Sequence, residues 1–127
     1  MQAIAKTYGA AVLVDANTKD LIKDEYHIRE VDVINHGDHV GMRLIEIMAS
    51  VNDKPNHDMM TTIISYELGL AEYKSKNYQA AIMHFKKSQA LTDDYPSKFM
   101  IERCRGLIDG RLHVPEEDWD GRWDLKI

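Results

Sequence analysis

The apolar residues of this chain change period near residue 50, and no other feature limits its possible folds so strongly. Before that point they come in β-branched runs: Ala11 to Val14, Ile28 to Ile34 and Val40 to Met48. The run Ile28-Arg29-Glu30-Val31-Asp32-Val33-Ile34 alternates in part, as a half-buried strand does. Met42-Arg43-Leu44-Ile45-Glu46-Ile47 is a similar, more apolar run. Between them, Asn35-His36-Gly37-Asp38-His39 is rich in turn residues, with Gly37 free to take a positive φ. The two runs predict an antiparallel β-hairpin. Upstream, Asp15-Ala16-Asn17-Thr18 predicts a capped short helix reaching about Glu25, with Leu21 and Ile22 on its inward face. Residues 1 to 8 read as the last turns of another helix, closed by Gly9.

After residue 58 the period becomes helical. Met60, Ile64, Leu68 and Ala71 mark one face of a helix over about 58–76. Tyr78, Ala81, Ile82, Phe85 and Ser88 mark a second, after a tight turn at Lys76-Asn77. Ser97 then caps a third helix carrying Met100, Cys104, Leu107 and Ile108, stopped by Gly110. The expected class is α+β: a hairpin or three-strand element with one or two short helices, then an all-α three-helix module. Its divisions are a β-rich part over 1–50, a polar linker over 51–58 containing Pro55, a helical module over 59–110, and a tail over 111–127. Fifty residues with three strands bury too little apolar surface to stand alone. Strand edges and faces also need cover, so the β-rich part is expected to find it on another chain or on a further part of a longer protein.

Charge narrows the partners. Sixteen basic residues against 21 acidic ones give a net charge of −5, which argues against nucleic acid. The longest apolar run, Ala10 to Val14, is far too short to span a bilayer, and no export signal is visible. Cys104 is the single cysteine, so no disulfide forms within the chain, which fits a reducing, cytoplasmic setting.

Two resemblances give these elements an identity. Leu68-Gly69-Leu70-Ala71-Glu72-Tyr73-Lys74, followed by Asn77-Tyr78, Ala81, Phe85 and Ser88, resembles a single tetratricopeptide repeat. In that pattern small residues let two helices approach while Tyr73, Tyr78 and Phe85 fill the space around them. The first half is more specific. Lys6-Thr7-Tyr8-Gly9-Ala10-Ala11-Val12-Leu13-Val14, with Thr18 and Asp24, resembles the closing segment of a class III nucleotidyl cyclase domain. Tyr26-His27-Ile28-Arg29-Glu30-Val31-Asp32 resembles that family's Arg-Glu-Leu-Asp strand, and Ile45-Glu46-Ile47 its Ile-Tyr-Glu-Leu strand. Bacterial-type members often end in such a helical repeat and a tail like Pro115-Glu116-Glu117-Asp118-Trp119-Asp120-Gly121-Arg122-Trp123.

The resemblance implies the C-terminal portion of an adenylate or guanylate cyclase, whose parent turns ATP or GTP into a cyclic nucleotide and pyrophosphate with Mg²⁺ or Mn²⁺. The family's two metal-holding Asp and its Asn–Arg pair match no position here, so this chain alone is expected to hold no cofactor, metal or catalytic residue and to be inactive. One family position does fall inside it. A Lys of the hairpin turn contacts the triphosphate, and His36 stands where that Lys is expected. Histidine is shorter and mostly neutral at pH 7, and Asp38 repels phosphate. The partner is then the rest of the cyclase domain or another chain, in a dimer or larger complex; a membrane-anchored parent would keep this part in the cytosol. The alternatives are a non-enzymatic adaptor using the helical module and strand edges, and a truncated piece of a longer chain.

Other constellations read more plainly. His36, His39 and Asp38 suggest a solvated turn, because structural zinc takes four ligands and Cys104 is distant in a helix. His57 and Asp58 are expected to cap a helix, and His84 to be an exposed helix residue. Cys104 with His113 lacks the spacing of a thiol nucleophile. Asp118, Asp120 and Asp124 belong to a solvated tail anchored by Trp119 and Trp123. The seven Met residues read as core filling.

Overall fold

The computed structural model describes residues 1–54, 56–114 and 119–127. Pro55 of the expected linker and Pro115-Glu116-Glu117-Asp118 of the tail pattern lie outside the described residues. The elements are α1 (Gln2–Tyr8), β1 (Leu13–Val14), α2 (Ala16–Ile22), β2 (Tyr26–His36), β3 (His39–Ser50), α3 (His57–Lys74), α4 (Tyr78–Thr92), α5 (Tyr95–Asp109) and β4 (Arg122–Asp124). The chain is α+β, with strand order β1-β3-β2-β4. β3 is antiparallel to both β1 and β2, and the tail strand β4 runs parallel to β2.

The hairpin forms where the turn residues sit. Gly37, at φ +59, takes the first place of the two-residue loop between His36 and His39, where a type II′ turn favours glycine. Inside β2, Glu30 pairs with Ile45 and Asp32 with Leu44, so Val31 is an extra residue. Simple alternation would turn Asp32 away from Arg29 and Val31. The bulge at Val31 turns it inward instead, and Arg29, Val31, Asp32 and Ile34 are all buried.

One core crosses the whole chain. Ile4, Tyr8, Leu13, Val31, Ile34 and Leu44 pack with Tyr66, Leu70, Tyr73, Phe85, Met100 and Cys104. The chain's own helices therefore cover one face of the sheet, which corrects the expectation that this cover comes from outside. α3 also shields the open edge of β2. The Tyr66 hydroxyl donates to the Val31 carbonyl at 2.8 Å, and the Glu30 amide donates to Glu67 at 3.3 Å.

α3 and α4 form a helical hairpin at close approach. A side chain on Gly69 would stand 2.8 Å from the Phe85 ring, so the interface requires glycine there. Ala81, Ile82, Phe85 and Ser88 are the buried residues of α4, as their spacing predicts. The α3 face is a correction. Ile64 is 56% exposed and Leu68 49%, whereas Thr62, Ile63, Tyr66, Leu70 and Tyr73 are buried. Apolarity marks the wrong stripe because small polar residues, Thr62 and Ser65, occupy inner positions, Thr62 against Ser88 and Thr92 of α4. Leu21 is likewise corrected. It is 83% exposed, and no residue of α2 is buried, because that short helix rests mainly on β3 at the sheet margin. Met83, at 73% exposed, is not core filling, while Met100 is fully buried.

The caps differ in detail. Asp15 caps α2 and Gly9 closes α1 in the left-handed region, both as predicted. α3 is capped by Asn56 rather than by His57 or Asp58, and α5 by Asp94 rather than Ser97. In each case the acceptor side chain lies a few residues before the amides it satisfies.

On the margin between β2 and α3, Glu30 pairs with Lys74 at 2.8 Å and also with Arg43. Burial works to raise the Glu30 pKa, but the two cations outweigh it and hold the carboxyl below its ordinary range. A carboxyl depressed in the folded state stabilises the fold above its unfolded pKa and loses that contribution as pH falls through the folded value. Glu30→Gln is therefore expected to lower stability near neutral pH and to lose that deficit below the carboxylate range. Urea midpoints at about pH 7 and about pH 3 check this, and an equal deficit at both would contradict it.

Candidate functional site

The charged residues that carry the sequence resemblance converge on the interface between sheet and helices. Arg29, on β2, points at Glu46 on β3 and at Asp94, the cap of α5. Its guanidinium donates to Glu46 at 2.6 and 3.0 Å and to Asp94 at 2.7 and 2.8 Å. The same group lies 4.4 Å from the centre of the Tyr66 ring. Burial disfavours its charge, yet the two carboxylates more than compensate and hold the cation firmly protonated. Asp94 continues the chain of contacts: the Ser97 amide donates to it at 3.1 Å, and the Ser88 hydroxyl donates to the Thr62 carbonyl at 3.0 Å. Ser88 and Ser97 share a bond at 2.9 Å. Sheet, α5, α4 and α3 are thus linked through polar groups.

A second network lies toward the other end of the same face. Asp32 receives Arg103 of α5 at 2.6 Å and the hydroxyl of Tyr8 on α1. Arg103 also donates to the Tyr73 hydroxyl at 3.2 Å and to Tyr8 at 3.1 Å. Trp123 stacks on the guanidinium at 4.3 Å. Burial pushes the Tyr73 and Tyr8 hydroxyls well above their ordinary range, so they remain neutral partners. Both networks hold their charges by satisfied bonds: among the described residues no buried side-chain nitrogen or oxygen lacks a partner. The sequence gives one signal for Arg103, a cation beside Cys104 on the apolar stripe of α5. Asp94 carried no sign beyond its place before Tyr95-Pro96.

The predicted packing residues divide into two groups. Tyr73 meets Trp119 edge-on at 5.0 Å and Tyr78 at 6.4 Å, and both Tyr73 and Trp123 face the Arg103 guanidinium. Phe85 lies apart, against Tyr66 at 5.0 Å. Trp119 Nε1 donates to the Arg122 carbonyl at 2.6 Å, which fixes the start of β4.

His36 stands at the end of β2, beside β4. Its Nδ1 lies 3.1 Å from the Leu125 carbonyl, and since a carbonyl only accepts, that nitrogen carries the proton. Next to it, the Asn35 amide group donates to Asp124 at 2.9 Å and its oxygen accepts from the Gly41 amide at 2.9 Å. The tail strand therefore holds the hairpin immediately below its turn, while Gly37, Asp38 and His39 are exposed at the tip.

No family model, curated protein or solved structure matches this chain. Its site is read from its own residues. Among the described residues, no group of three or more His, Cys, Asp or Glu is placed to hold a metal. Asp120 pairs with Arg122 at 2.9 Å and Asp124 bonds Asn35, so each serves a local contact. No described helix is long and apolar enough to cross a membrane.

Cys104 is buried, and burial pushes its thiol up to about 12. Little thiolate exists at neutral pH, and the thiolate is the reactive form. The thiol is expected to react with Ellman's reagent only as fast as the chain unfolds. Rapid labelling of the folded protein would contradict this.

Proposed function

We propose that this chain is the C-terminal portion of a class III adenylate or guanylate cyclase, a helper of catalysis without catalytic residues of its own. In this reading residues 1–50 complete the β-structure of the catalytic domain, and the tetratricopeptide-like module with its tail braces it from below. The observation that supports it is the pairing of the two pattern-bearing strands. Arg29 to Asp32 and Ile45 to Ile47 lie side by side in one hairpin, and its exposed turn begins at His36, where the resemblance implies the triphosphate contact. The parent's Mg²⁺ or Mn²⁺ would be held by residues that match no position in this chain.

The test joins the DNA upstream of Met1 to the question of activity. In this reading an open frame there encodes the two metal-binding Asp and an Asn-x-x-x-Arg helix. The joined protein is then expected to convert ATP or GTP to a cyclic nucleotide with Mn²⁺, whereas the 127-residue chain gives none. A joined protein without turnover, or turnover by the short chain, would overturn the reading.

One observation favours a second reading, an assembly subunit without chemistry. β1 pairs only with Glu46 and Ile45, so the stretch of β3 from His39 to Leu44 has no strand on its outer edge among the described residues. An extended segment of another chain can add to such an edge through backbone hydrogen bonds. Light scattering on the purified chain separates the cases: a dimer or larger species supports strand-edge assembly, and a monomer at all concentrations contradicts it.

A further inference from the structure

A cavity of about 760 Å³ lies between α1, α5 and the tail. Its size suits a small ligand. Phe99, Leu112, Trp123 and Leu125 give it apolar walls, and Arg103 closes one side with its guanidinium already committed to Asp32.

The charges at the rim decide what fits. Glu102 is paired with Arg105 at 2.7 Å and Arg111 with Asp109 at 2.8 Å, while Asp124 keeps its charge and accepts from Asn35 of β2 at 2.9 Å. Lys126 and His113 also line the cavity, and among the described residues no hydrogen bond or ion pair engages either. The two lining groups without a bond are thus Lys126, whose ammonium attracts an anion, and His113, whose ring N–H can donate to one.

We propose that this cavity binds a small amphipathic anion, an apolar or aromatic body seated against Phe99, Leu112, Trp123 and Leu125 with its carboxylate or sulfonate at Lys126 and His113. Trp123 and Leu125 belong to the tail that pairs with β2, and Phe99 belongs to α5, so a bound ligand joins the tail to the helical module. It also tightens the tail against the base of the hairpin, where Leu125 meets Asn35 and His36.

Anilinonaphthalenesulfonate, an aromatic sulfonate whose emission rises in apolar surroundings, is the probe, with decanoate as competitor. The folded chain is expected to bind the dye saturably and to release it to decanoate. Lys126→Glu, an exposed change, is expected to weaken binding about tenfold while leaving the circular dichroism spectrum unchanged. Thr7→Trp, which places a large ring into the cavity from α1, is expected to abolish it. Absence of saturable binding to the folded chain, or equal binding by the parent and both variants, would overturn the proposal. Should Thr7→Trp fail to fold, the Lys126→Glu comparison decides alone.

Discussion

Asp32→Val is expected to destabilise the protein by about 3–5 kcal/mol, because it leaves a buried cation without its counter-charge. Arg103 is 4% exposed and its other partners, the hydroxyls of Tyr8 and Tyr73, are neutral. With so little of the guanidinium exposed, solvent makes up only a small part of the lost carboxylate. The informative comparison is the double variant Asp32→Val with Arg103→Met, which removes both charges and keeps the volume apolar. Replacing a buried pair by apolar residues costs far less than breaking it, so the double variant is expected to recover most of the loss. Urea unfolding of the two proteins checks this. A double variant as unstable as the sum of its parts would contradict the pairing of β2 with α5.

The second large effect is in the helical hairpin. Phe85 is fully buried, lies against Tyr66 and meets the bare backbone of Gly69. Phe85→Ala is expected to cost about 3–5 kcal/mol, since the cavity left behind is walled by two helices that cannot easily collapse onto it. Gly69→Ala tests the same contact from the other side. Alanine favours a helix by about 1 kcal/mol over glycine, but its methyl group would stand 2.8 Å from the ring. Overpacking costs about 1–3 kcal/mol, so the variant is expected to lose up to about 2 kcal/mol net. Thermal or urea unfolding measures both, and a stabilised Gly69→Ala variant would contradict the close approach.

Much of the architecture was legible in the residues. The change of period near residue 50 located the hairpin and three helices, and Gly37 and Gly110 marked a turn and a helix end. Small residues facing Phe85 announced the tight α3–α4 contact. What the pattern hid follows from geometry. The bulge at Val31 adds a residue to one strand, which no alternation rule anticipates, and it turns Asp32 toward Arg103. The α3 interface uses Thr62 and Ser65 where apolar residues were expected, so Ile64 and Leu68 misled. The tail strand was invisible because three residues carry no period, and its pairing with β2 depends on Asn35 meeting Asp124 and His36 meeting Leu125 across the fold.

The candidate site was legible only in part. His36 was singled out by resemblance for a triphosphate contact and Trp119 and Trp123 as anchors; that the tail holds the base of the hairpin through His36 needs the three-dimensional arrangement. Arg29, Asp32 and Glu46 stood out as a strand pattern. Their partners Asp94 and Arg103 lie 65 and 71 residues away from Arg29 and Asp32 respectively, a separation that no local pattern bridges.

The hairpin and the helical module form one body, joined by the Arg29–Asp94 and Asp32–Arg103 contacts. Native-state hydrogen exchange tests it most directly, because it reports the free energy at which each amide opens. Amides of β2 and β3 are expected to exchange only through the same opening as those of α3 and α5, with equal free energies. Hairpin amides that exchange through a separate opening of much lower free energy, with the helices still protected, would contradict it.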